Sequence, residues 1–325
     1  MMKTGKLNWD ILQKLIRENS GAEREEVMKS GSIGEDCAVL RLPEGLLVLS
    51  TDPVTAAGSG IGNIALHINI NDIATTGASP LGILVTILAP KDASLEDIEK
   101  VMGEISREAK KVNVAIMGGH TEVTDSVNRM VVSVTALGLV GEQELLSTAG
   151  AKVGDSILVT KSLCLEGTSI IAKDFSEKAG EVLTKEELEE AEDYAKELSV
   201  LKEGMILKDI ASSMHDITEG GVLGALWEMA QASHTGFRVH GDRMPIRPVT
   251  RKLADHFGLD PLKLISSGSM LVAAKDGEEA VRRLEAKGIG CTIIGTVTED
   301  KGILVTDREN EVEPPERDEI YRLYE

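Results

Sequence analysis

Between Pro53 and Pro90 the chain runs 38 residues with a single formally charged side chain, Asp72. Lys, Glu, Asp and Arg are dense elsewhere, so the gap stands out. Its centre, Ile64-Ala-Leu-His-Ile-Asn-Ile-Asn-Asp-Ile73, predicts a buried helix that ends near Gly77. Asn69 and Asp72 lie three apart and share one face of it. Asp is a poor helix-interior residue and a costly core residue. The local sequence offers it no Lys or Arg. A cation brought from outside, such as a metal or a metal-nucleotide, would satisfy the carboxylate. Capping by backbone N–H groups is the alternative.

Further acids stand at the ends of other apolar segments. A glycine-rich turn, Gly31-Ser-Ile-Gly34, delivers Glu35 and Asp36 to the mouth of a predicted strand, Cys37–Leu42. Leu46–Thr51 returns as a second strand and ends at Asp52-Pro53. Singly, Asp36 and Asp52 read as ordinary turn residues. A strand at Asn113–Met117 precedes Gly118-Gly119-His120-Thr121-Glu122-Val123. The two glycines allow close backbone approach and present N–H groups to an anion, and a plain turn explains them equally simply. Asp216 and Thr218 precede Gly220-Gly221 and an apolar helix. Such a helix start attracts phosphate or carboxylate, and either residue also reads as its N-cap. Together, Asp36, Asp52, Asp72, His120 with Glu122, and Asp216 with Glu219 form a pattern. It suits carboxylates converging on two or three Mg²⁺ ions around a triphosphate.

The elements that must position these residues alternate between strands and helices, an α/β or α+β arrangement. Leu7–Arg17 has helical apolar spacing, and Ser20 with Glu23 is spaced as a capping box for a short second helix reaching Lys29. Leu81–Pro90 and Arg129–Leu139 predict strands, and Ser94–Val112 a helix with a Ser94/Asp97 capping box. Lys178–Leu198 predicts one charged surface helix and Val200–Ser212 another. A serine/glycine turn at Ser266–Ser269 feeds a strand. At 325 residues two domains are expected. The divisions are an extension over 1–30, a first domain over 31–148 and a second over 149–325.

Bulk composition narrows the function. A net charge of −19 disfavours nucleic acid and anionic lipid as partners. It leaves phosphate open, because Mg²⁺ bridges acid to phosphate. Aromatics at 2 % supply no base-stacking platform. Cys37, Cys164 and Cys291 are far apart, which argues against a disulfide framework and fits a reducing cytoplasm. No apolar run is long enough to span a bilayer, and no signal peptide is visible at Met1–Trp9.

The order Ile33-Gly-Glu-Asp-Cys-Ala-Val-Leu, Ser50-Thr-Asp, Ile70-Asn-Asp-Ile with Gly77-Ala-Ser-Pro80, Gly118-Gly-His-Thr-Glu and Asp216-Ile-Thr-Glu-Gly-Gly resembles the AIR synthase (PurM-like) superfamily. The resemblance spans roughly residues 30–310. In the second half Gly258-Leu-Asp-Pro-Leu262 and Ile293-Ile-Gly-Thr-Val297 resemble the HypE branch. It implies an N-terminal α/β domain that completes a β-barrel with a second subunit, and a C-terminal α+β domain. It implies a homodimer using ATP and Mg²⁺ on a small-molecule or carbamoyl-type substrate, and a maturation partner protein. By resemblance Asp36, Asp52, Asp72 and Asp216 hold metal and phosphate. Gly34, Thr51, Asn71, Gly118, Gly119 and Thr121 line the nucleotide, and His120 and Glu219 join Asp72 and Asp216 in the chemistry. The chemistry implied is γ-phosphoryl transfer to a carbonyl, amide or phosphate oxygen, achieved by positioning and charge neutralisation. A nucleotide-holding protein without catalysis and a metal-dependent phosphohydrolase are the alternatives.

Two departures stand out. Relatives usually carry an acid where this chain has His120. If His120 and His215 both faced the site, Mn²⁺ would suit it. The HypE branch proper carries a terminal cysteine as its own substrate, whereas here no cysteine follows Cys291, so self-modification is not expected.

Overall fold

Alternating burial along Leu46–Val54 and Val131–Val140 makes these two segments the centre of the first of two sheets. The computed structural model describes residues 25–29, 35, 37–55, 60–306, 313 and 315–324. The expected N-terminal helix at Leu7–Arg17 and the residues Gly34 and Asp36 lie outside them.

The first unit runs β1 (Val27–Lys29), β2 (Ala38–Arg41), β3 (Leu46–Val54), α1 (Ile61–Thr75), β4 (Ser79–Ala89), α2 (Leu95–Lys111), β5 (Ala115–Val123) and β6 (Val131–Val140). Its six-stranded sheet has the order β1-β2-β3-β6-β4-β5. Only β4 and β5 pair in parallel. The sheet is open, with β1 and β5 at opposite edges and no barrel closed by the described residues of one chain. Val27–Lys29 pairs with Val39–Leu40 as a strand, not the end of a short helix as the capping pattern predicted.

The second unit runs β7 (Ser156–Thr160), α3 (Leu165–Asp174), α4 (Ser176–Ala179), α5 (Lys185–Asp193), α6 (Leu201–Leu207), β8 (Ala211–Asp216), α7 (Gly221–Ser233), β9 (Gly236–Val239), α8 (Pro248–Phe257), β10 (Met270–Ala274), α9 (Gly277–Glu285), β11 (Cys291–Thr298) and β12 (Gly302–Val305). Its sheet order is β12-β9-β11-β7-β10-β8, with only β9 and β12 parallel. The charged run 178–198 is broken rather than continuous. Thr184 caps α5 reciprocally with Glu187, and α5 stops at Asp193. Helix α6 ends at Leu207, and Ala211–Asp216 becomes β8 because it finds β10 as a partner.

That α1 carries no formal charge besides Asp72 now has a physical cause. On one side it packs on β3, β6 and α2, and on the other it meets α6 and β8 of the second unit. A helix covered on opposite faces has no polar stripe to keep. The approach is close. A Cβ on Gly204 of α6 would lie 2.6 Å from the carbonyl oxygen of Ala74, so this position admits only glycine without a shift.

Candidate functional site

Two of the predicted acids, Asp52 and Asp72, lie on the segments where the end of β3 is bonded to α1. Ser50 Oγ of β3 donates to Asp72 Oδ2 of α1, so the buried acid has a hydroxyl partner rather than the empty surroundings expected from its neighbours in sequence. One turn earlier on the same face, Asn69 Oδ1 accepts from the Asp52 N–H at 2.8 Å, and Asn69 Nδ2 donates to the Asp52 carbonyl at 3.2 Å. This two-point clamp fixes the backbone of Asp52 against α1 and leaves Asp52 exposed at the mouth. Thr51 Oγ1 is turned to β6, within 3.1 Å of the Val134 carbonyl and 2.9 Å of Thr135 Oγ1.

The neighbours of Asp36 are tied to the same place. Cys37 Sγ donates to the Asp72 carbonyl at 3.4 Å. Glu35 accepts from Ser147 Oγ, pairs with Lys29, and accepts from Ala149 N at 3.2 Å. On that turn the Thr148 carbonyl accepts from Ser213 Oγ of β8 at 2.9 Å. One short turn therefore anchors both Glu35 and the strand that ends in Asp216. Asp216 is buried at the end of β8.

Asn71 does something else. Its Nδ2 donates to the Leu198 carbonyl at 2.8 Å and its Oδ1 accepts from Val200 N at 2.8 Å. Two turns earlier Asn63 Nδ2 donates to the Ala195 carbonyl at 2.7 Å. Both ends of the Asn71 side-chain amide are thus engaged in holding the 195–200 segment to α1. Lys161 holds that segment from the other side, donating to the Glu197 and Ser199 carbonyls at 2.7 Å each and pairing with Glu203 at 2.9 Å. Burial lowers the Lys161 ammonium pKa, against the pull of Glu203.

The Gly-Gly motif is not a turn. Strand β5 continues through Gly118 and Gly119 after an irregularity in its pairing with β4 that skips Met117, and Gly119 is required by β4: a Cβ there would sit 1.8 Å from the Val85 carbonyl oxygen. His120, Thr121 and Glu122 are exposed on β5, with His120 Nε2 3.2 Å from Glu122 Oε2. Within one chain β6 and β4 separate β5 from β3, about 14 Å of sheet at the usual strand spacing. His215 is buried, with Nε2 2.7 Å from Glu228 Oε2 of α7, so the two histidines do not share a site within the chain. Glu219 accepts from the Tyr321 hydroxyl at 3.5 Å.

The donor set at Asp52 and Asp72 is hard oxygen, which fits Mg²⁺. Among the described residues no group of three or more candidate ligands is gathered. Mg²⁺ commonly takes only one or two carboxylates and completes its shell with phosphate and water, so the pair remains a fit.

The family model for the N-terminal domain of AIR synthase related proteins matches residues 34–140, and that for their C-terminal domain matches 152–308. The chain belongs to the AIR synthase related family. A putative hydrogenase expression/formation protein of Methanocaldococcus jannaschii is 29% identical over 309 residues, 91% of this chain and 90% of that protein. The carbamoyl dehydratase HypE of Rhizobium leguminosarum bv. viciae is 27% identical over 289 residues, 84% of this chain and 79% of that protein. Among solved structures, the fold matches a HypE–HypF complex with TM-score 0.75 at 21% identity, covering 94% of this chain and 99% of that one. It also matches HypE in complex with ATP with TM-score 0.73 at 22% identity, covering 86% and 89%.

Sequence reading missed two acids in the second unit of this family member, Glu166 and Asp318. Burial pushes both carboxyls up to about 7, and the charge of Glu219 adds to each rise. For Glu166 the signal was available: it is the one charged residue between Ser162 and Ala172, the same pattern that drew notice to Asp72. Asp318 gave no such signal in its charged tail.

Proposed function

We propose that the protein is a cytoplasmic, Mg²⁺-dependent ATP-using enzyme that transfers the γ-phosphoryl group to, or activates, a carbonyl, amide or phosphate oxygen. The observation that carries this reading is the bonding of the end of β3 to α1, with Asn69 on the Asp52 backbone and Ser50 on the Asp72 carboxylate. Membership of a family in which one relative is named a carbamoyl dehydratase and a related structure holds ATP supports it. Asp36, Asp52, Asp72 and Asp216 are the residues proposed to hold Mg²⁺ and the phosphates. Gly34, Thr51, Gly118, Gly119 and Thr121 line the nucleotide, and His120 and Glu219 act beside the acceptor. A carbamoyl-type group is the acceptor class favoured by the named relative, with the two domains dividing near residue 148. Three free thiols suit a reducing compartment. No helix among the described residues is long and apolar enough to cross a membrane.

The proposed unit is a homodimer in which β5 meets its copy and the two sheets complete a barrel. Strand β5 is exposed along its whole length and pairs only with β4 among the described residues. Ile116, Met117 and Val123 on it, with Leu81 and Leu84 on β4, are exposed large apolar side chains. An open apolar edge of this length invites strand pairing. Met117→Lys should convert the dimer to monomer in sedimentation velocity. A dimer of unchanged stability would remove β5 from the interface. A maturation partner protein is a further proposal, prompted by the HypE–HypF structure.

The test of the function is thermal. Saturating Mg-ATP should raise the melting temperature, since ligand at 100 times its Kd adds about 2.7 kcal/mol to stability. ATP labelled at the γ-position should then pass label to a carbamoyl-type acceptor. No stabilisation by Mg-ATP or by a non-hydrolysable analogue would end the reading.

A further inference from the structure

The buried face of β3 reads Leu46, Val48, Ser50, so a hydroxyl stands where the alternation of the strand calls for another aliphatic side chain. On α1 a carboxylate, Asp72, stands between Ile70 and Ile73, both fully buried. These two polar exceptions meet: Ser50 Oγ donates to Asp72 Oδ2. A carboxylate has only acceptors to offer, so the hydroxyl hydrogen is committed to that oxygen. A pair of aliphatic side chains would fill the same space without the cost of burying a charge, so packing alone does not call for the pair.

Both partners are fixed in place. Ser50 stands in register with Ala136 of β6, and its neighbour Leu49 with Ala38 of β2, so β3 is held from both sides. The Asp72 carbonyl accepts from Cys37 Sγ at 3.4 Å and from Thr75 Oγ1 at 2.7 Å. The amide that clamps Asp52 is itself tied to α1, where Asn69 Nδ2 donates to the Ala65 carbonyl at 2.9 Å. The hydroxyl therefore sits against Asp72 Oδ2 as a rigid stop.

Such a stop bears on which cation the carboxylate can serve. Ca²⁺ gathers about six to eight oxygens in a flexible shell and accepts a carboxylate through one oxygen or both. Mg²⁺ demands a near-ideal octahedron, whose right angles the narrow bite of a two-oxygen carboxylate cannot span. We propose that Ser50 is a positioning residue that sets metal choice: by holding Oδ2 it limits Asp72 to at most one oxygen toward a cation, and so favours Mg²⁺ over Ca²⁺. The proposal rests on the Mg-ATP reading above and adds to it the group that discriminates between metals. Ser50 acts only through Asp72. Without its hydroxyl, Oδ2 is released and Asp72 can grip the larger ion with both oxygens.

The test is calorimetry on the full chain with a non-hydrolysable ATP analogue, titrated once in Mg²⁺ and once in Ca²⁺. The parent should bind the analogue more tightly in Mg²⁺. Ser50→Ala should weaken the Mg²⁺ titration by roughly 10-fold or more, the usual effect of removing a group that orients a metal-binding carboxylate. It should leave the Ca²⁺ titration unchanged or tighter. Ser50→Thr keeps the hydroxyl on a strand that suits a β-branched residue, and should restore the parent's Mg²⁺-to-Ca²⁺ ratio. Should Ser50→Ala not fold, Ser50→Cys keeps the bulk with only a weak donor and should shift the ratio the same way. A loss in Ser50→Ala shared equally by both metals would make Ser50 merely structural and overturn the proposal, as would an unshifted ratio in Ser50→Cys. A parent that binds equally well in both metals overturns it too, and leaves the ATP reading standing. No binding by the parent in either metal would overturn the reading and the proposal together.

Discussion

Asp72→Asn and Asp52→Asn should each weaken Mg-ATP binding by roughly 100-fold or more, the equivalent of about 3 kcal/mol. The carboxylate supplies charge to Mg²⁺ that an amide cannot, and few other cations are near to compensate in so acidic a chain. The fold should survive both changes. At Asp72 an asparagine keeps the shape and still accepts from Ser50 Oγ, and it removes a charge from a site only 4% exposed. At Asp52 the clamp to Asn69 uses backbone atoms alone, so the side chain can change without opening it. Melting temperature in the absence of nucleotide should therefore move little, by less than about 1 kcal/mol in stability. Titration calorimetry with Mg-ATP and with a non-hydrolysable analogue decides it. Parent-like affinity in both variants would remove these acids from the site.

How far the sequence could carry this follows from where each residue finds its partner. The Ser94/Asp97 capping box is local, three residues apart, and is present as read, with Asp97 N donating to Ser94 Oγ at 3.2 Å. The apolar run around Asp72 is local too, and α1 covers it. Its cause, burial between two units, is not local, and neither is the hydroxyl of Ser50, which arrives from 22 residues away. Strand β8 was hidden because Ala211-Ser-Ser-Met-His-Asp216 has little apolar alternation and becomes a strand only through β10. Strand β5 was cut short because two glycines read as a turn, whereas Gly119 is demanded by the backbone of Val85. The acids at strand ends could be picked out by type and spacing. Which of them face one another could not, because that depends on Asn69 and on the Ser147–Gly150 turn.

Asn71→Ala should cost about 3 kcal/mol or more in folding stability while leaving Mg-ATP affinity close to the parent's. Asn71 is wholly buried, and both ends of its amide are used, on the Leu198 carbonyl and the Val200 N–H. Alanine would strand both backbone groups away from water, at about 1–3 kcal/mol each, and open a small void as well. The neighbouring clamps cannot take over. Asn63 reaches only Ala195, and Lys161 already donates to Glu197 and Ser199. The 195–200 segment leads from α5 into α6, whose Gly204 sits against Ala74, so loosening it should also let the two units shift at the helix that bears Asp72. Urea denaturation gives the stability and calorimetry the affinity. The reverse pattern, full stability with lost nucleotide binding, would return Asn71 to the ligand site and show that α1 presents its amide to phosphate rather than to the chain.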